Sequence, residues 1–161
     1  MSKAQTVSTT ASDPTVAAAA AQFLSPVVLG LQALTVNGKQ AHWHVRGANF
    51  VGVHELLDTI VAHAGDFADT AAERIVALGL PIDARITAVA AKGGSTVVPA
   101  GFTQSDELVR AVIADIDAIL IDTKAAIDGL DEVDLTSQDV AIEIMRGLEK
   151  DRWFLVSHIA A

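Results

Sequence analysis

The stretch Val51–Leu78, VGVHELLDTIVAHAGDFADTAAERIVAL, decides the fold. Val53, Leu57, Ile60, Ala64, Phe67, Ala71, Ile75 and Leu78 recur at steps of three and four, the period that lines up apolar side chains on one face of an α-helix. Gly79 followed by Pro81 stops it, because glycine accepts the left-handed conformation that ends a helix and proline cannot prolong one. A helix of this length must bury its stripe against other elements, and the rest of the chain supplies helices.

Upstream, Ser12-Asp13-Pro14 is a helix-start signal, with proline tolerated in the first turn. Helix one is expected from there to about Val45, and Ser25-Pro26 marks either a second start or a kink. Residues 1 to about 12 are polar and Ser/Thr-rich, which predicts a loose tail ahead of one domain over 13–161. Arg46 to Phe50 reads as a connection. Downstream, Asp83 to Ala91 suggests a short helix, Lys92 to Gly101 a loop, and Gln104 to Ile127 helix three, ending near Gly129. After the acidic turn Asp131 to Asp134, Thr136 or Ser137 is expected to cap helix four, which runs to about Ile159. With no internal repeat and no strand alternation, the expected fold is all-α: a four-helix bundle with a short extra helix between helices two and three.

Composition agrees. The 161 residues suit one domain, and a content of 51% apolar but only 4% aromatic side chains favours close-packed helices over a sheet. With 20 acidic against 11 basic side chains the formal charge is −9, the wrong sign for gripping phosphates. The absence of cysteine removes thiol chemistry, disulfides and Cys-ligated zinc. The apolar run Val16 to Val36 is interrupted by Gln22, Ser25, Pro26 and Gln32, and is read as a buried helix of a cytoplasmic protein rather than a membrane span.

Four side chains carry metal chemistry: His42 with His54, and Asp69 with Glu73. With His54 set at zero on a helical wheel, Asp58 falls near about 40°, Asp69 near about 60° and Glu73 near about 100°. These positions share a face away from the apolar stripe. His54 and Asp69 lie about 22 Å apart along the helix, so one metal cannot bridge them. A hairpin of helices one and two, by contrast, brings His42 to His54. If helix two packs antiparallel against its copy across a two-fold axis, the His pair of one chain meets the carboxylate pair of the other. The crossing falls around residues 62 to 65, where Ala62 and Gly65 are small enough for close approach. Mixed imidazole and carboxylate ligation suits iron, manganese or zinc. No Glu-x-x-His occurs, which argues against an intrachain di-iron site.

The run Lys39-Gln-Ala-His-Trp-His-Val-Arg-Gly-Ala-Asn-Phe50, then Val53-His-Glu-Leu-Leu-Asp58 and Asp69-Thr-Ala-Ala-Glu-Arg-Ile-Val-Ala-Leu-Gly79, resembles the Dps family, the miniferritins of the ferritin-like superfamily. The match is looser over Leu135 to Asp139 and Leu148 to Phe154. The resemblance implies a dodecameric shell that oxidises Fe(II), with hydrogen peroxide preferred over dioxygen, and stores ferric mineral. It implies ferroxidase centres at two-fold interfaces, with His42 and His54 from one subunit and Asp69 and Glu73 from its mate. Asp58 matches an acidic position near that site, as ligand or as a group orienting one. Trp43 and Trp153 match tryptophans near the iron, to intercept stray oxidising equivalents or simply to pack. Asp131, Glu132, Asp134 and Asp139 match the acidic region of iron-entry pores.

Two features depart from that pattern. His44 stands where many relatives carry Asn, and His63 falls near the expected crossing; each is either a further metal ligand or a structural imidazole. The N-terminal tail carries only Lys3 as a basic residue and the chain ends at Ala161, so weak or absent DNA binding is expected. Two other functions compete: a metal-dependent hydrolase using the same ligands to activate water, and a nucleoid DNA-binding protein. No Gly-x-Ser-x-Gly or His-Glu-x-x-His supports the first, and charge opposes the second.

Overall fold

A computed structural model describes residues 13–93 and 96–160; the expected loose tail lies outside the described residues. Five α-helices follow in order: α1 (Pro14–His44), α2 (Phe50–Ala77), α3 (Ile86–Gly93), α4 (Ser105–Leu130) and α5 (Leu135–Ile159). The four long helices form the bundle, and α3 is the short extra helix. One feature not expected is a two-residue parallel pairing of β1 (Val45–Arg46) with β2 (Thr103–Gln104), in register Val45 to Thr103. It ties the α1–α2 connection to the entry of α4, and Ser105 Oγ adds a bond to Ala48 O at 2.7 Å. Gly47 has φ +95° there, and a Cβ would stand 2.2 Å from Gln104 Oε1, so only glycine fits.

The core is aliphatic. Leu24, Leu31 and Leu34 of α1 meet Leu57, Ile60 and Ile75 of α2, Leu108, Ile116 and Leu130 of α4, and Ile144, Leu148 and Leu155 of α5, all fully buried within one cluster. Close approach of α1 and α2 depends on Gly38, where a Cβ would sit 2.9 Å from Val61 Cγ2. α1 is long and apolar enough to cross a membrane by length and composition. Its buried residues, from Ala17 through His42, face the bundle.

Several boundaries sharpen or correct the expectations. Asp13 caps α1 by accepting from Thr15 N at 2.7 Å, a bond that holds its carboxyl below the usual range. Pro26 neither starts nor breaks α1, which runs continuously through it. α2 ends with Gly79 at φ +95°, with Leu80 N–H reaching Ile75 O and Gly79 N–H reaching Val76 O, a Schellman closure. The cap of α5 is Asp134, not Thr136 or Ser137: its carboxylate accepts from Ser137 N at 3.2 Å. Asp134 wins because it also binds Arg74 of α2 at 2.7 Å, an ion pair that joins the far end of α2 to the start of α5.

Candidate metal centre

The hairpin of α1 and α2 brings His42 and His54 into contact, their rings stacked with centroids 3.7 Å apart and planes 23° from parallel. The bonding is reciprocal. His42 Nδ1 lies 2.9 Å from His54 O, and His54 Nδ1 lies 3.0 Å from His42 O. A carbonyl oxygen only accepts, so each Nδ1 carries a proton, and a ring in its neutral form offers its Nε2 lone pair to a ligand. Backbone carbonyls on a ligand's other nitrogen are the usual way to fix a metal-binding tautomer. The His42 carbonyl is available because it belongs to the last turn of α1, where carbonyls lack helical partners. His42 is buried and His54 half-buried.

Asp58, one turn beyond His54, stands 3.8 Å from His42 Nδ1, too far for a hydrogen bond. It pairs with Lys39 of α1, and that bond, more than the nearby imidazoles, holds the Asp58 carboxyl below its ordinary range. Asp58 is thus clamped beside the imidazoles as an anion. Lys39 was quoted in the sequence motif without a role; its reach across to α2 depends on hairpin register.

The other half of the set is elsewhere. Asp69 and Glu73 are both exposed on α2, several turns away at the end held by Arg74. Among the described residues no group of three or more His, Asp or Glu side chains comes close enough to hold one metal ion. The outer face of α2 between the two ends carries exposed Ala62, while Gly65 is half-buried, and a Cβ there would meet Thr35 Cγ2 of α1 at 4.0 Å.

The remaining candidates scatter. Trp43 is 61% exposed and Trp153 63% exposed, so neither packs into the chain's own core. Trp153 lies tilted against Phe154, with centroids 4.9 Å apart and planes at 52°. His44 turns away from His42: its Nδ1 bonds to Gln40 O at 2.8 Å and its ring lies by Phe102. His63 meets Asp151 of α5. Asp131 accepts from Gln138 Nε2 at 3.3 Å, Asp134 is occupied by its cap and Arg74, and Glu132 and Asp139 are exposed. Two carboxylates, half-buried Asp115 and buried Asp151, were not singled out from the sequence. Burial pushes the Asp115 carboxyl above its usual range against bonds from Thr96 and Asn37, and it likewise pushes up Asp151. Asp151 had a legible signal: it interrupts the apolar spacing Ile144, Leu148, Leu155 at a position facing the core.

Comparison with known proteins adds the lineage. Residues 30–161 match the ferritin-like domain. The DNA protection during starvation protein of Agrobacterium fabrum is 34% identical over 122 residues, which cover 75% of each chain. That of Mycolicibacterium smegmatis is 35% identical over 130 residues, 75% of this chain and 66% of the relative. Among solved structures, Dps from Microbacterium arborescens in its high iron form is 69% identical with a TM-score of 0.93, covering 96% of this chain and all of that one (100%).

Proposed function

Since the chain belongs to the Dps family of ferritin-like proteins, whose general work is iron storage and protection, we propose that it is a ferroxidase whose centres are shared between two copies. The observation that carries the reading is the stacked His42–His54 pair, with both Nδ1 atoms spent on carbonyls and both Nε2 atoms released, in a chain that has its carboxylates at the other end of the same helix. An antiparallel α2–α2 contact about a two-fold axis supplies Asp69 and Glu73 from the second copy and makes two equivalent centres.

Fe(II) is the substrate. The imidazoles bind it as neutral donors, and the partner's carboxylates favour the more highly charged Fe(III) that forms. Two irons supply the two electrons that reduce one hydrogen peroxide, with two protons, to two waters; this route releases no hydroxyl radical. Dioxygen is the slower alternative oxidant. Asp58, kept anionic by Lys39, adds negative charge beside His42 and orients the site. Trp43, exposed next to His42, is placed to intercept stray oxidising equivalents, and Trp153 is the second candidate. Ferric product is stored as mineral inside a dodecameric shell, which cations enter past Asp131, Glu132, Asp134 and Asp139. The protein works in the cytoplasm. With a charge of −9 it binds DNA weakly or not at all at physiological salt, whatever the starvation relatives named for DNA protection do.

The test is Fe(II) oxidation by peroxide, followed as ferric absorbance after correction for iron oxidising in buffer. His54→Ala should lower the initial rate at least about tenfold, since even groups that only orient a metal ligand cost that much. Equal rates in wild type and variant overturn the assignment.

A further inference from the structure

Asp115 is the exception among the carboxylates of this chain. Every other described acidic side chain that is withdrawn from solvent faces a basic group: Asp117 meets Arg152, Asp122 meets Lys92, Asp134 meets Arg74 and Asp151 meets His63. Half-buried Asp115 bonds instead to neutral donors, the Thr96 hydroxyl at 2.6 Å, the Asn37 side chain and the Val97 backbone. The Thr96 oxygen accepts from Val98 N–H at 3.1 Å, and its own proton goes to the carboxylate. Neutral donors do not cancel a charge, and burial accordingly pushes the Asp115 carboxyl above its usual range. A carboxylate accepts at about four positions, so these bonds leave room for another donor.

Space adjoins it. A cavity of about 140 Å³ opens beside Asp115 between α1, α4 and the segment after α3, where Gly30, Ala33, Ala114 and Ala118 supply little side-chain bulk. A second, of about 280 Å³, lies between α1 and α3. The two share Ala33, Asn37 and Thr96, so they adjoin as two lobes of one cleft. Together they reach the roughly 300 Å³ at which small-ligand sites begin. The lobes differ in chemistry. The larger is walled by Val36, Ala84, Val89 and Ala90, with no charged side chain among the described residues of its lining. The smaller holds Asp115 and Lys92, and Lys92 is already paired with Asp122 at 3.0 Å. One uncompensated negative charge therefore stands at one end of a largely apolar cleft.

We propose that this cleft binds a primary alkylammonium ion, with its head on Asp115 and its short aliphatic chain in the larger lobe. The ammonium head brings the missing positive charge together with N–H donors. A carboxylate head would set a second negative charge against Asp115, and a diamine would press its far charge against the apolar wall. The cleft shares no residue with the metal centre, so the proposal is independent of the ferroxidase reading.

The probe is n-hexylammonium chloride, titrated calorimetrically into the full assembled chain. Saturable binding of about one ion per chain is expected. Each methylene added from butylammonium to hexylammonium should strengthen it about two- to fourfold. Hexanoate should bind at least about tenfold more weakly than hexylammonium, and Asp115→Asn, which keeps the shape of the side chain, should weaken hexylammonium at least about tenfold. Ala90→Trp changes an exposed position of α3 and fills the larger lobe. It should remove the dependence on chain length while sparing the preference for the ammonium head. Hexanoate bound as tightly as hexylammonium overturns the proposal, and so does undiminished affinity in Asp115→Asn. No saturable binding to the assembled chain, the result if another copy covers the cleft, overturns it as well.

Discussion

The two ends of α2 are built differently. At the His54 end the ligands are finished within the chain: stacked rings, reciprocal carbonyl bonds, and an aspartate clamped by Lys39. At the other end Asp69 and Glu73 stand exposed on the helix surface. The difference follows from the chemistry of the donors. An imidazole has two nitrogens and two tautomers, so a useful ligand must have one nitrogen occupied before metal arrives. A carboxylate is ionised at neutral pH and offers either oxygen, so it needs position but no tautomer. On the proposed reading the imidazoles are therefore settled by folding, and the carboxylates await a second copy.

The sharpest way to break this contrast is to damage each end by one atom group. Glu73→Gln should lower the initial rate of Fe(II) oxidation at least about tenfold, as His54→Ala does. The two should part in stability. Glu73→Gln should leave the urea unfolding free energy within about 0.5 kcal/mol of wild type, as exposed substitutions do. His54→Ala should cost about 1 kcal/mol or more, because it strips the His42 carbonyl and ring of their partner. Equal stability losses would remove the distinction between a finished and a waiting end.

The next effect concerns the frame that holds the finished end. Leu57 is fully buried one turn from His54, and Leu57→Ala should cost about 2–5 kcal/mol in denaturant unfolding. Asp69 and Glu73 lie beyond its reach, so cobalt or iron affinity lost by this variant should track loss of the His pair. A cost near zero would show that the α1–α2 packing does not set the imidazoles.

Much of this contrast was legible from sequence, and its limits are physical. The apolar period of α2 set its extent to within a residue or so of Phe50–Ala77, and the wheel separated ligand face from core. The hairpin symmetry of His42 and His54 about their connection was enough to predict their meeting. The reciprocal Nδ1 bonds were not, because they depend on the register of two helices at the level of single atoms. Pro26 was ambiguous because proline is compatible with a first turn and only costly within a helix; packing of the whole of α1 on the bundle overrides that cost. The cap of α5 went to Asp134 because Arg74, 60 residues earlier in sequence, favours an anion there. Lys39, Arg74 and Asp151 share that character: their roles lie in partners brought close only by the tertiary fold.

The smallest expected effect lies far from both ends. Asp115 holds the Thr96 segment to α4, with Thr96 Oγ1 donating at 2.6 Å. Burial raises its folded-state carboxyl above the ordinary 3.8, so the folded chain binds that proton more tightly than the unfolded chain. The stability this contributes is present below the ordinary carboxylate range and lost as pH rises through the raised folded value. In urea titrations at several pH values, any advantage of wild type over Asp115→Asn should therefore shrink as pH rises through that window. A difference that grows with pH would contradict the sign.

The central claim is that one centre draws its imidazoles and its carboxylates from different copies. Co-assembly of His54→Ala chains with Glu73→Gln chains tests it most directly. Each parent assembly is inactive at every centre. In a mixed pair, one centre combines both defects, and the other combines intact His42 and His54 with intact Asp69 and Glu73. Random pairing should restore about a quarter of the wild-type centres, read as the initial rate of Fe(II) oxidation by peroxide. Recovery to about that level is the predicted result. A mixture no faster than its parents, with co-assembly verified by differential tagging, would contradict it.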